Sequence, residues 1–314
     1  PSPTATGTRN RLEPMKIRKT PRFPRIAPWV RNSALLLGVA GVVWAAQAQV
    51  TVRDRSRIAG LIPAESLEAQ AATQFQQMSR QAASKGALMP ANHPQVQRLR
   101  AIAKRLIPYV NEPNLKSTSR VAQWRWEVNL IDSPQINAFC MPGGKIAFYS
   151  GILETLQLTD DEVAMVMGHE IAHALREHAR ERMGKGVVTQ GLIELGSALL
   201  GLGGAGRQIA DAGGQLLSLR FGREDESEAD LIGLDLAARA GYDPRAGITL
   251  WEKMSAANKG APPQWLSTHP SGGTRIRDIE RALPLVMPLY DRAERPAQRF
   301  APPPKRSNPR EPQE

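Results

Sequence analysis

The chain has 314 residues, 41% of them hydrophobic, which suffices for one main core and excludes a wholly disordered polypeptide. Its net charge of +11 would suit nucleic acid if it were spread, but residues 1–31 hold eight basic residues against Glu13 alone, so +7 of it is local and no nucleic-acid partner is implied. Cys140 is the only cysteine, so no internal disulfide can form, and its apolar neighbours make it a small buried core residue.

The basic residues are Arg9, Arg11, Lys16, Arg18, Lys19, Arg22, Arg25 and Arg31, and an apolar run, SALLLGVAGVVWAA, then leads from Ser33 into Ala46-Gln47-Ala48. A basic region, a short apolar region and an A-x-A site predict a leader and signal peptide over residues 1–48, cut after Ala48, and therefore an exported protein. The other reading of the same run is an uncleaved membrane anchor, for which it falls short of the ~20 residues a spanning helix needs. No cysteine follows it to carry a lipid.

Residues 49–284 are predicted as one main domain, with 49–115 as its N-terminal helical part. Apolar residues at helical spacing predict helices over 66–81 and 93–108, the second with Val96, Leu99, Ile102, Ala103, Leu106 and Ile107 on its inner face. At Trp124 the period changes: Trp124, Trp126, Val128 and Leu130 alternate, as in a strand. After a turn at Asp132-Ser133-Pro134, the stretch INAFCMPGGKIAFYS predicts two short strands around Pro142-Gly143-Gly144, giving a small antiparallel sheet.

Thr159-Asp160-Asp161-Glu162 matches a capping box and opens a helix that should run to about Met183, before Gly184 and Gly186. The apolar, glycine-rich stretch 187–206 contains Gln190 and Glu194, which predicts a buried helix or a mobile flap rather than a membrane span. Further helices are predicted over 219–240, from Asp243-Pro244 to about 257, and over 275–283. From Pro284 the sequence turns proline-rich and polar, and 285–314 is predicted as a disordered tail.

The chemistry lies in MVMGHEIAHALREH, residues 165–178. His169 and His173 are four apart and share a helix face, so their imidazoles can grip one metal ion, and neutral imidazole suits zinc. Glu170 is turned about 100° from His169, where it can reach a metal-bound water without occupying the metal. His178, on a continuous helix, is turned away from both and reads as a solvated or outer-layer residue. A third ligand is offered downstream by RFGREDESEADLIG. Glu226 and Asp230 share a face beside the small Ala229, so Glu226 would complete a His-His-Glu set while Asp230 accepts a hydrogen bond from the outer nitrogen of a ligand imidazole. Geometry alone leaves Glu228 as an alternative ligand.

HEIAH followed by EDESEAD, AGYDP and STHP resembles zinc metallopeptidase family forty-eight, the family of the HtpX, CAAX prenyl and LoiP–BepA-type proteases, over about residues 58–283. The resemblance implies a zincin-like (gluzincin) α+β fold, mainly helical, with one Zn2+ per chain and Glu226 as third ligand. It implies that His269, in LSTHPSGGTRIRDI, donates a hydrogen bond to the oxyanion, with Arg275 as a weaker oxyanion or substrate contact, and that His269 could also swing onto the metal. INAFCMPGGKIAFYSGIL is similar to the soluble exported members, which implies a periplasmic enzyme, or one held at the inner membrane if the leader stays.

Two features depart from the family pattern. No spanning helices are read after the leader, unlike the membrane-embedded members, and neither a helical-repeat domain nor a lipid-bearing cysteine is read, unlike the BepA and LoiP types. The implied activity is a zinc metalloendopeptidase of protein quality control, acting on unfolded or misassembled envelope proteins and associating with membrane or outer-membrane assembly proteins. The substrate strand would add beside the active-site helix along 136–140 or 145–149. The rival is a non-catalytic zinc-containing chaperone or adaptor, which would have no need of Glu170.

Overall fold

The computed structural model describes residues 50, 52–199, 216, 219–257, 263–269 and 274–306, with 190–199 described by backbone alone. The leader over 1–48 and residues 200–206 of the glycine-rich stretch lie outside the described residues. Two N-terminal helices, α1 (Ala64–Ser84) and α2 (Pro94–Leu106), precede a sheet of β1 (Glu127–Ile131), β2 (Ala138–Met141) and β3 (Lys145–Tyr149). Then come α3 (Ser150–Leu156), α4 (Asp160–Leu175), α5 (His178–Leu199), α6 (Arg223–Arg239), α7 (Ala246–Ala257), the short α8 (Gln264–Thr268) and α9 (Arg275–Arg292). The chain is mainly helical, as its periodicity predicts, and among the described residues no helix is long and apolar enough to cross a membrane.

The sheet is mixed, not antiparallel. Its order is β1-β3-β2, with β1 parallel and β2 antiparallel to β3. The connection from β1 passes the end of β3, where a Cβ on Gly151 would lie 2.4 Å from the Pro134 carbonyl oxygen, so β2 enters on the far side of β3. The tight turn back to β3 needs Gly143 and Gly144 at φ +83° and +79°. β3 is therefore central, with β1 and β2 at the two edges.

Helix α4 sits between that sheet and α6. Its start is fixed as predicted: Thr159 Oγ1 accepts from the Glu162 amide at 3.3 Å, and Glu162 Oε2 accepts from the Thr159 amide at 2.8 Å. Arg98, fully buried, donates to Asp160 Oδ1 at 2.7 Å and to the Leu158 carbonyl at 2.6 Å, which ties α2 to the same helix start. Met165, Val166, Met167, Ile171 and Ala172 are all buried, so α4 is enclosed on every side rather than on one stripe. On the α6 side the helices meet at glycines: a Cβ on Gly233 would lie 3.0 Å from the His169 backbone nitrogen.

Two helix ends differ from the sequence-based expectation. The helix predicted through about Met183 stops at Leu175, and Glu177 takes φ +60° before α5 begins at His178. At the C-terminus α9 runs on to Arg292 through Pro284 and Pro288. These prolines lie four apart on one face, Pro284 exposed, while Ile279, Ala282 and Val286 hold the opposite face in the core. Part of the segment predicted as disordered also lies against the body. Arg299 pairs with Asp161 at 2.8 Å, the Phe300 amide donates to Asp160 at 2.8 Å, and Arg306 pairs with Glu154 at 2.5 Å and with Asp132.

Candidate metal centre

The crossing of α4 and α6 brings His169 and His173 to face Glu226, and α8 delivers His269 as the residue that ends it. One donor atom from each of these four buried residues lies within 4.8 Å of all the others. The separations are 3.1 Å between the Nε2 atoms of His169 and His173, 3.3 Å from His169 Nε2 to His269 Nδ1, and 3.1 Å from His269 Nδ1 to Glu226 Oε1. Glu226 lies 3.6 Å from each of His169 Nε2 and His173 Nε2.

These residues fit a metal ion. A tetrahedral site with bonds of ~2.0–2.1 Å has ligand atoms ~3.3 Å apart, which the observed spacings bracket. The chemistry agrees. His169 Nδ1 lies 3.0 Å from Asp230 Oδ1. Burial raises the Asp230 carboxyl, but the adjacent Arg275 guanidinium and the hydrogen bonds from Arg275 and His169 outweigh it and hold the group at about 2. Asp230 is thus an ionised acceptor, so His169 carries its proton on Nδ1 and turns a lone pair on Nε2 toward His173 and His269. Burial, reinforced by the neighbouring histidines, holds His173 well below the ordinary imidazole value, in the neutral form that a metal takes. For His269 burial acts in the same sense but is outweighed by Glu170 and Glu226, which raise it.

Glu170 stands beside this set without joining it. Its Oε1 accepts from the Trp265 indole nitrogen at 2.6 Å and lies 3.6 Å from His269 Nε2. Trp265 also stacks on His269, with ring centroids 4.9 Å apart, and its carbonyl accepts from the His269 amide at 2.8 Å. A tryptophan in QWLST reads as core in sequence, so its role in orienting two polar groups has no signal there. Phe221 is a similar case: it stacks on His173 with centroids 4.0 Å apart.

The geometry adds to the expectations at three residues. Arg275 is engaged with the carboxylates of the site itself. It is buried at the start of α9, donates to Glu226 at 2.7 Å and to Asp230 Oδ1 at 2.6 Å, and packs over the Trp251 ring at 4.2 Å. Of the two readings of His178, the outer-layer one holds and the solvated one does not, although the ring is turned towards His173 rather than away: its Nδ1 lies 2.9 Å from His173 Nδ1 and its Nε2 3.0 Å from Glu228 Oε2. Glu228, left open as a ligand, instead takes up this outer position. It also accepts from Arg176 at 3.1 Å and from the Arg53 amide at 2.8 Å.

A largely apolar cleft opens on the site, lined by Glu170, His173, His269, Phe221 and the run 137–142, which contains the edge strand β2. Of the two strands considered for substrate, only β2 is at an edge. Cys140 lines the cleft and is only partly buried, packed against the core rather than within it.

A model of peptidase family M48 matches residues 93–283. The chain is 36% identical over 199 residues to mitochondrial metalloendopeptidase OMA1 of Schizosaccharomyces pombe, a match covering 63% of this chain and 56% of that protein. It is 28% identical over 214 residues to metalloprotease LoiP of Escherichia coli, covering 68% of this chain and 80% of LoiP. It is 29% identical over 196 residues to the beta-barrel assembly-enhancing protease of the same organism, covering 59% and 40%. The chain thus spans about half the length of this OMA1 relative. A family match over 93–283 takes in more than half of the chain, on the stretch that builds the site, and the chain therefore belongs to peptidase family M48.

Proposed function

We propose that the chain is a zinc-dependent endopeptidase that binds one Zn2+ through His169, His173 and Glu226 and hydrolyses peptide bonds of misfolded or misassembled cell-envelope proteins. The observation that carries this reading is the buried Glu170, within 3.6 Å of His269 yet outside the four-donor set, where a purely structural metal site has no use for a carboxylate. Zinc bound there would acidify a water molecule and polarise a peptide carbonyl. Glu170 takes the water proton and returns it to the leaving amine. Trp265, by holding Oε1, aims the carboxylate at the cleft. Substrate lies extended along β2 as an added strand.

His269 has two positions in this reading. All four side chains could hold the metal together, which would leave less room for the water that the chemistry needs. Off the metal, His269 would be free to donate a hydrogen bond to the oxyanion. X-ray absorption on the zinc-loaded protein tests this: His269→Ala should remove one nitrogen donor, and an unchanged shell would count against it.

The envelope assignment is supported by the basic and apolar leader and by the likeness to the beta-barrel assembly-enhancing protease. It implies a periplasmic location, or an inner-membrane anchor if the leader remains, with outer-membrane assembly proteins as associates. The deciding experiment compares wild type and Glu170→Gln on unfolded casein, with and without a chelator. Wild type should cleave in a chelator-sensitive manner and Glu170→Gln should retain zinc but not cleave. Equal cleavage by both would reject the assignment, and binding of casein with no cleavage by either would favour the chaperone.

A further inference from the structure

Resting on that metal site, we infer that His178 and Glu228 form a proton-fixing relay that orients the ligand His173, so that this ligand is backed by a carboxylate through an intervening imidazole. The partner ligand His169 reaches its own carboxylate directly, with 3.0 Å from Nδ1 to Asp230. For His173 the outward nitrogen finds no carboxylate among the described residues. It meets His178 Nδ1 at 2.9 Å, and His178 Nε2 meets Glu228 Oε2 at 3.0 Å.

The direction of each hydrogen bond follows from what the groups can do. Glu228 accepts from Arg176 Nε at 3.1 Å and from the Arg53 amide at 2.8 Å, with the Arg53 guanidinium 3.5 Å away, so it acts as an acceptor. The proton between it and His178 therefore sits on His178 Nε2. In the relay His178 Nδ1 accepts from His173 Nδ1–H, 2.9 Å away. That leaves the lone pair of His173 on Nε2, the atom 3.1 Å from His169 Nε2 in the centre of the site. One tautomer is thus selected for each ring, and for His173 it is the one that can ligate.

The backbone is shaped for this contact. On an unbroken helix a residue five positions after His173 would be turned about 140° from it. The break after Leu175, with Glu177 in the left-handed region at φ +60°, turns His178 back onto His173, and both rings are buried. A non-glycine residue held there is the kind of local strain that persists where the surroundings require it.

The test uses the full chain with zinc alone as probe. His178→Leu removes both hydrogen bonds, whereas the amide of His178→Gln offers one acceptor and one donor in their place. Chelator competition should show zinc binding weakened about 10–100-fold in His178→Leu, with His178→Gln keeping most of the wild-type affinity. Wild-type affinity in His178→Leu would overturn the relay alone. Equal loss in both variants, with equally lowered melting of the metal-free proteins, would reduce His178 to a packing role. Wild-type protein that takes up no zinc would overturn the metal site and the relay together. If His178→Leu does not fold, histidine nitrogen NMR on zinc-loaded wild type decides. Protonated Nδ1 on His173 with unprotonated Nδ1 on His178 is expected, and the reverse would refute the relay.

Discussion

Gly233 on α6 faces His169 on α4 so closely that a Cβ on the glycine would lie 3.0 Å from the histidine backbone nitrogen, and a Cβ on Gly168 would lie 3.1 Å from Gly233 Cα. The reach of Glu226 and Asp230 to the imidazoles depends on this approach, because both carboxylates project from the helix that Gly233 lets in. Gly233→Ala should push the helices apart, with overpacking costing about 1–3 kcal/mol. Zinc retention should fall with it. Urea unfolding and zinc content after dialysis measure the two effects. Unchanged stability with full zinc occupancy would show that the approach is not needed.

The indole of Trp265 donates to Glu170 Oε1 at 2.6 Å in a buried setting. A hydrogen bond to a charged group contributes about 1.5–3 kcal/mol, so Trp265→Phe should lower kcat/KM by roughly 10- to 150-fold if that interaction serves the reacting carboxylate. Zinc affinity should change less, since phenylalanine keeps an aromatic ring against His269 and His169. Parallel casein-peptide kinetics and chelator titration separate these. A variant with wild-type kcat/KM would remove Trp265 from the mechanism.

Much of the site was legible because its parts obey local rules. The capping box at Thr159 fixes the start of α4, the i, i+4 rule places His169 and His173 on one face, and the same rule pairs Glu226 with Asp230. What the sequence hid is non-local or conformational. The parallel pairing of β1 with β3 depends on a connection passing Gly151, and local alternation carries no information on strand direction. The contact of His178 with His173 was hidden because a residue in the left-handed region after a helix is signalled by glycine or asparagine, and here Glu177 occupies it. Arg275 followed the loop in which it was read, whereas its contacts come from the packing of α9 behind α6. The prolines of α9 suggested a stop, but its inner face is buried strongly enough to continue the helix.

Glu228 gives a prediction in pH. Burial raises its carboxyl, but the hydrogen bond from His178 and the charge and hydrogen bond of Arg176 outweigh burial and lower it from 4.5 to about 2. A carboxyl more acidic in the folded than in the unfolded state stabilises the fold above its unfolded value, and that contribution is lost as pH falls through the folded one. Metal-free protein in chelator should therefore lose melting temperature as pH drops from about 4.5 towards 2. Glu228→Gln should start lower at pH 7 and lose less over the same interval. Parallel pH curves for the two proteins would contradict the assignment.

Cys140 lines the cleft beside Glu170 and His173, where a thiol could be taken for a nucleophile. Although the residue as a whole is partly exposed, its thiol is enclosed; that burial pushes it well above its ordinary value, and the charge of Glu170 adds to the shift. Alkylation requires the thiolate, so folded protein at pH 8 should react with iodoacetamide far more slowly than protein in denaturant. Mass spectrometry of the intact chain counts the label, since there is one cysteine to modify. Cys140→Ser should also leave peptide hydrolysis intact, because the proposed chemistry runs on water activated at Glu170. Rapid labelling of the folded protein together with loss of hydrolysis in Cys140→Ser would move the reaction to the thiol.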